Sequence, residues 1–258
     1  MSLEITKLLN NKYRLVDLTE YVGEMTFSMP GQTKPRLYHL RQFSFPAPGG
    51  EWMHQVTMES HISSHVEGPA HVVDANENKP GIGKDLASIP LEKFYGESIL
   101  IKTNKLPDGA PITVEFLKEE GVRKDDIVII GLSGHDPDRD LTEEDKIPYL
   151  SDEAVEWMSS LPIKMIAFDR TTLAGLENRP RINDPKKTPQ TVSGRFANMK
   201  AHQTFIGDKS GKTIIPIIEV IGHLDRLTKK RFFLIAWPPL LGGLEAFPVR
   251  CVAFEPKE

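Results

Sequence analysis

Apolar residues along this chain fall into short runs that either alternate with polar positions or stand side by side. RLVDLT (14–19) and Trp52–Met58 alternate and predict strands with one buried face. ESILIK (97–102), FFLIAW (232–237) and VRCVAF (249–254) predict further strands, the last two closing the chain. DIVIIG (126–131) and KMIAFD (164–169) are continuously apolar, the pattern of strands buried on both faces. TIIPIIEVIG (213–222) reads as a strand interrupted by Pro216. Proline cannot donate to a ladder, so an edge position or a bulge is expected there.

Helical signals are fewer. Residues 3–10 predict a short helix. Thr113–Glu120 predicts another, with Thr113 as N-cap and Gly121 just past its end. Ser151 is placed to cap a helix whose first turn holds Asp152 and Glu153, where the helix dipole favours negative charge. Asn198–Phe205 predicts a short helix carrying His202. Residues 20–50 are rich in Pro and Gly and read as irregular chain wrapping the surface or a pocket. Residues 173–196, with Pro180, Pro185 and Pro189, form a long irregular stretch of the kind that is usually functional. There is no repeat, no linker and no regular βαβ alternation. The expectation is one α/β domain over residues 1–258, with a mixed, partly closed β-sheet flanked by helices.

Composition narrows the function classes. Hydrophobic residues make up 39% and charged residues 26% of 258, ordinary for a globular protein. A net charge of −4 without a basic block argues against nucleic acid as a partner. No stretch approaches the roughly 20 apolar residues of a membrane helix, and the N-terminus has no apolar run resembling a signal peptide. The single cysteine, Cys251, excludes an intramolecular disulfide and a cysteine-built zinc site. It lies in an apolar strand, as an inert core residue would. A cytoplasmic location fits.

The chemistry concentrates in SHISSHVEGPAHVV (60–73), which holds His61, His65 and His71, three of the chain's 8 histidines, with Glu67 among them. Imidazole and carboxylate side chains bind zinc, manganese or iron near neutral pH. A spacing of four, His61 to His65, converges on a helical turn; a spacing of two, His65 to Glu67, converges on extended chain. Gly68-Pro69 rules out a continuous helix through His71. The segment therefore reads as a short turn that runs into an extended piece and folds back. Two other stretches carry weaker patterns. Asp136–Asp140 imitates the start of a calcium loop but has Leu141 and Ile147 where Gly and Glu are needed. Gly81–Lys84 imitates a fragment of a phosphate loop and lacks the rest of it.

The pattern H-x-S-S-H-x-E-x-P-x-H resembles H-x-G-T-H-x-D-x-P-x-H, the signature of the cyclase family of metal-dependent hydrolases, which includes bacterial kynurenine formamidase and isatin hydrolase. Ser63 and Ser64 stand where that pattern has Gly and Thr, and Glu67 where it has Asp. The resemblance runs on through RLVDLT and the following MPG, DIVIIGLSG, YLSDEAVEWMSSLPIKMIAFD and FFLIAWPPLLGGLEAFPVRCVAF, covering about residues 13–256. It implies the family's swivelling β/β/α-like fold, a homodimer or larger homo-oligomer, and a small-molecule substrate. It also implies that His61, His65 and Glu67 bind a first divalent metal, zinc ahead of manganese. Glu67, His202 and Glu219 would hold or bridge a second, with His71 as proton donor and acceptor. The reaction implied is cleavage of an amide or cyclic amide or ester by metal-bound hydroxide.

Glu is one methylene longer than Asp, which moves its carboxylate about 1.5 Å further from the backbone. The expectation is one firmly bound metal and a second site that is weaker or empty. Phe27 and Met29, near the Pro30-Gly31 turn, are candidate substrate contacts. Asp169, ending a buried strand, is a candidate for orienting a site residue. Two other readings stay open. His65, Glu67 and His202 could form a two-His-one-carboxylate triad for non-haem Fe(II) and oxygen chemistry. Alternatively, the chain could be a non-catalytic binding descendant of the hydrolase fold.

Overall fold

The computed structural model describes residues 12–23, 38–44, 52–72, 85–107, 109–131, 148–169, 200–207 and 214–257. The strands are β1 (Tyr13–Asp17), β2 (Tyr38–Ser44), β3 (Trp52–Met58), β4 (His65–Glu67), β5 (Tyr95–Lys102), β6 (Pro111–Ile112), β7 (Ile127–Gly131), β8 (Tyr149–Leu150), β9 (Met165–Phe168), β10 (Ile217–Glu219), β11 (Arg231–Ile235), β12 (Ala246–Pro248) and β13 (Val252–Pro256). Among the described residues the α-helices are α1 (Val114–Glu120), α2 (Asp152–Ser160) and α3 (Lys200–Phe205). Among the described residues, nine strands form one mixed sheet in the order β1-β13-β11-β5-β7-β9-β10-β4-β12. β5, β7, β9 and β10 are parallel at its centre, with antiparallel strands on both flanks. β2 and β3 form a separate antiparallel pair, and β6 and β8 a short parallel one.

The sheet curls until parts distant in strand order meet. Just past β1, Thr19 bridges Ile221, just past β10. Gly222 N–H donates to Leu18 O at 2.8 Å at the same junction, while Leu18 N–H, donating to Cys251 O at 2.9 Å, continues the β1–β13 ladder. Val249 N–H, between β12 and β13, donates to Ser64 O, just before β4, at 2.9 Å. Inside the curl Leu18, Val66, Leu100, Ile129, Ile218, Phe232 and Leu234 form one core. On the outer face Ile101, Val128, Ile130, Ile166 and Ile217 pack against Leu117 of α1, Val155 and Met158 of α2, and Ala201 and Phe205 of α3. The alternation of strand side chains explains the continuous apolar runs. Ile127 and Ile129 face one core while Val128 and Ile130 face the other, and every residue of β7 is buried.

The predicted caps are present. Thr113 Oγ1 accepts from Phe116 N–H at 3.2 Å, and Gly121 closes α1 in the left-handed conformation at φ 86°. Ser151 Oγ accepts from Ala154 N–H at 3.1 Å. Cys251 is fully buried, and burial pushes its thiol up to about 12.

Three sequence expectations are corrected. The stretch 20–50, read as irregular, contains strand β2, whose partner is β3. The central strands do follow βαβ logic: α1, α2 and α3 are crossovers between β5 and β7, β7 and β9, and β9 and β10, all on one face. Two-residue strands and long insertions break the spacing that would have revealed them. Finally, β10 is an interior strand between β9 and β4, where an edge or bulge was expected. Pro216 lies before its first ladder pair, and its carbonyl still accepts from Ile166 N–H at 3.1 Å, so no donor is missed. The helix expected over residues 3–10, the stretches 173–196 and 81–84, and residues 136–140 lie outside the described residues.

Candidate metal centre

β4 carries the centre. It lies between β10 and β12, with His65 opposite Glu219 and Pro248, and Glu67 opposite Ile217 and Ala246. The pleat points Val66 into the core inside the curl, so His65 and Glu67 project from the other face. Glu219 shares that face with Ile217. α3 packs over the same face and lowers His202 onto the two carboxylates.

The turn before β4 is held in an uncommon conformation. Ser63 has φ 56°, in the left-handed region that glycine adopts most easily. Its hydroxyl donates to Glu20 O at 2.7 Å. Ser64 Oγ accepts from Glu20 N–H at 2.8 Å and donates to Val220 O at 2.6 Å, tying this turn to the residue after Glu219. After β4, Gly68 is extended and Pro69 opens a short 3-10 turn, Pro69–His71, as its fixed φ favours. His71 N–H donates to Gly68 O at 3.0 Å. This is the turn, extended piece and fold-back read from the sequence.

Two sets of donor atoms converge. In the first, His61 Nδ1, His65 Nε2 and Glu67 Oε1 form a triangle with sides of 3.1, 3.3 and 3.0 Å. Ligands at about 2.1 Å around a tetrahedral cation stand about 3.4 Å apart, so the triangle is close to the size of a coordination face. His65 Nδ1 is 2.8 Å from Ser63 O and must donate to it, which turns the Nε2 lone pair inward. In the second set, Glu67 Oε2 lies 3.2 Å from His202 Nε2, and His202 Nε2 lies 3.5 Å from Glu219 Oε1. Glu219 Oε2 reaches back to His65 Nε2 at 3.6 Å. Glu67 therefore belongs to both sets, and Glu219 to the second, with its other oxygen near His65. Glu67 Oε2 has an ion-pair distance to His202 without hydrogen-bond geometry. It is buried and, among the described residues, accepts no hydrogen bond. A buried carboxylate oxygen in that position is costly without a cation, and the donor set fits a divalent metal.

The electrostatics agree with the geometry. Burial would raise the Glu67 carboxyl, but His202, His61 and His65 around it hold it well below its ordinary value. Burial would lower His202, but Glu67 and Glu219 overcome this and raise it to about 10. Burial also opposes charge on His65, and Glu67 and Glu219 outweigh it, raising that imidazole. A buried carboxylate, Glu67, and a half-buried one, Glu219, thus draw positive charge, which a proton or a metal can supply at the same lone pairs. His71 behaves differently. Burial, with His61 and His202 nearby, lowers its pKa despite Glu67 and Glu219, so it is neutral at pH 7. Its Nε2 is 3.7 Å from Glu67 Oε1, and its ring centroid is 4.4 Å from that of His61.

His61, His65, Glu67, His71, His202 and Glu219, named from the sequence, are all brought together. Phe27 and Met29 lie outside the described residues. Asp169 follows β9 and packs against Gly131, where an added Cβ would stand 2.3 Å from its carboxylate. One neighbour was missed. Glu245, just before β12, has Oε1 3.4 Å from His61 Nε2 and accepts a short hydrogen bond from Ser60 Oγ. An acidic residue in a Gly-Leu-Glu-Ala stretch carries no spacing signal toward a histidine so far away in sequence.

Comparison with known proteins agrees with this architecture. Residues 16–174 match the family described as "Putative cyclase". Isatin hydrolase A from Labrenzia aggregata, in a structure bound to benzyl benzoate, is 19% identical with a TM-score of 0.71, each chain covering 100% of the other. An isatin hydrolase bound to the product analogue thioisatinate is 17% identical with a TM-score of 0.70, over 99% of this chain and 97% of that one. A structure described as a potential metal-dependent hydrolase with cyclase activity is 18% identical with a TM-score of 0.60, over 94% and 99%. At these identities the likeness is one of fold. No curated protein sequence matches the chain.

Proposed function

The chain belongs to the cyclase family, and from that premise we propose that it is a metal-dependent hydrolase cleaving an amide, cyclic amide or ester bond of a small molecule. The observation that carries the reading is Glu67, whose two oxygens face two separate sets of imidazole and carboxylate donors.

His61 Nδ1, His65 Nε2 and Glu67 Oε1 would hold a first divalent ion, zinc or manganese. Glu67 Oε2, His202 Nε2 and Glu219 Oε1 would hold a second more weakly, because Glu67 stands where the family pattern has the shorter Asp. Such an ion, when bound, lowers the pKa of its water toward ~7 and polarises a carbonyl. The remaining chemistry belongs to the chain. His71 is neutral at pH 7, so its imidazole can accept a proton from the attacking water and return it to the leaving nitrogen or oxygen. Gly68-Pro69 holds that ring at the rim of the donor sets. Nearby Glu67 stabilises the imidazolium once it forms. The isatin hydrolases among the structural neighbours make cyclic aryl amides the first substrates to try. A homodimer or larger assembly completes the proposal.

The test is elemental analysis of protein purified without chelator or metal-affinity tag, followed by a hydrolysis assay on N-formyl aryl amines, lactams and lactones. One to two equivalents of zinc or manganese, with turnover abolished by chelation, is the expected result. Iron with oxygen consumption would move the reading to the His65, Glu67 and His202 triad. Absence of metal after reconstitution would leave a binding descendant of the fold.

A further inference from the structure

His61 is the outermost member of the first donor set. Its two nitrogens face opposite ways. Nδ1 is 3.0 Å from Glu67 Oε1 and 3.1 Å from His65 Nε2, while Nε2, on the far side of the ring, is at an ion-pair distance of 3.4 Å from Glu245 Oε1. An imidazole binds a cation only through a nitrogen without a proton, so ligation through Nδ1 requires the proton on Nε2. His65 has its tautomer set by the Ser63 carbonyl. For His61 the acceptor in the matching place is Glu245.

We propose that Glu245 is a positioning residue: its carboxylate holds His61 in the Nε2–H tautomer and aims the Nδ1 lone pair into the metal site. This rests on the metal-site reading above. Glu245 is itself well anchored. Ser60 Oγ donates to the same Oε1. Its own carbonyl accepts from Gly68 N–H at 2.9 Å, and the next residue, Ala246, pairs with Glu67 across β12 and β4. Glu245 thus rides on the strand beside the ligands and touches the turns on both sides of them, at Ser60 and Gly68. Metal-bound histidines commonly give their second N–H to a carboxylate, and losing that partner weakens metal binding by about 10–100-fold.

The experiment is a zinc titration of the full chain against a competing chelator, for wild type, Glu245→Ala, Glu245→Gln and Ser60→Ala. It is paired with long-range 1H–15N spectra of the zinc-loaded proteins, which report the His61 tautomer. The Glu245 side chain is 34% exposed, so the metal-free Glu245→Ala protein should melt near wild type. Its zinc Kd should rise by about 10–100-fold. Glu245→Gln can still accept from Ser60 and from Nε2–H without the charge, so a smaller rise is expected with the tautomer retained. Ser60→Ala should fall between wild type and Glu245→Ala. If Glu245→Ala does not fold, the Gln variant decides. An unchanged Kd in the folded Glu245 variants, or His61 bound through Nε2, overturns the proposal while leaving the metal site intact. Failure of the wild type to bind zinc or manganese overturns both.

Discussion

His65 on β4 stands directly opposite Glu219 on β10, with 3.6 Å between Nε2 and Oε2. Strand register therefore sets the centre as much as residue type does. A slip of one position between these strands would turn the two side chains to opposite faces and break both donor sets. The slip is opposed by Val66 and Ile218, paired in the same register and both fully buried in the core inside the curl.

The two donor sets predict unequal responses to truncation. Glu67→Ala should remove all bound metal, because both sets use that carboxylate. Glu219→Ala should remove the second equivalent and spare the first. Elemental analysis of the two variants distinguishes these outcomes. A metal present at about 100 times its Kd stabilises by about 2.7 kcal/mol. For a chain of this size that is a rise in Tm of about 5–10 °C, which chelation should reverse in the wild type but not in Glu67→Ala.

Replacing the proton-handling group should separate binding from turnover. His71→Ala is expected to retain wild-type metal content and lose about 10²–10⁴ in kcat. His61, Glu67 and His71 also offer ligand atoms within 4.8 Å of one another. Loss of a metal equivalent in His71→Ala would make His71 a ligand.

Ser63 occupies a backbone position that suits glycine, the residue of the family pattern. Ser63→Gly relieves about 1 kcal/mol of left-handed strain and loses a hydrogen bond of about the same worth to Glu20 O, so near-wild-type stability is expected. Ser63→Val keeps the strain, adds a β-branched side chain and loses the bond. It should cost about 2 kcal/mol or more. Urea unfolding of the two metal-free variants measures both.

Glu255 predicts a pH dependence away from the centre. Its carboxylate is buried, which alone would raise its pKa. The N–H groups of Lys229 and Thr228, each at 2.6 Å, and the Arg14 guanidinium outweigh burial and lower it below the ordinary 4.5. A group lowered in the folded state stabilises fully above its unfolded value and loses that contribution as pH falls through the folded one. Glu255→Gln should therefore be less stable than wild type at pH 7, and the difference should shrink as pH falls below 4.5. Denaturant unfolding from pH 7 to pH 3 would show parallel curves if the carboxylate contributed nothing.

Much of the described fold was legible in the sequence. Thr113, Gly121 and Ser151 mark helix ends by local hydrogen bonding, and local rules read them correctly. The buried runs at Ile127–Gly131 and Met165–Phe168 declared strands covered on both faces. The β2 strand, the interior place of β10 and the three crossovers were not legible, because pairing partners leave no mark on the segment being read.

The sequence by itself determined the candidate donors: three closely spaced histidines and a carboxylate, punctuated by Gly68-Pro69, name a candidate metal centre because their spacings converge on a turn and then on extended chain. Only the tertiary structure decided how the centre is completed. The curl of the sheet, the antiparallel register of β4 with β10 and the placing of α3 over that face bring Glu219 and His202, which the family resemblance alone had named, onto the same donors. The strand β12 delivers Glu245 behind His61. These are contacts between segments far apart in the chain, set by which faces must be buried together, and burial belongs to the whole fold.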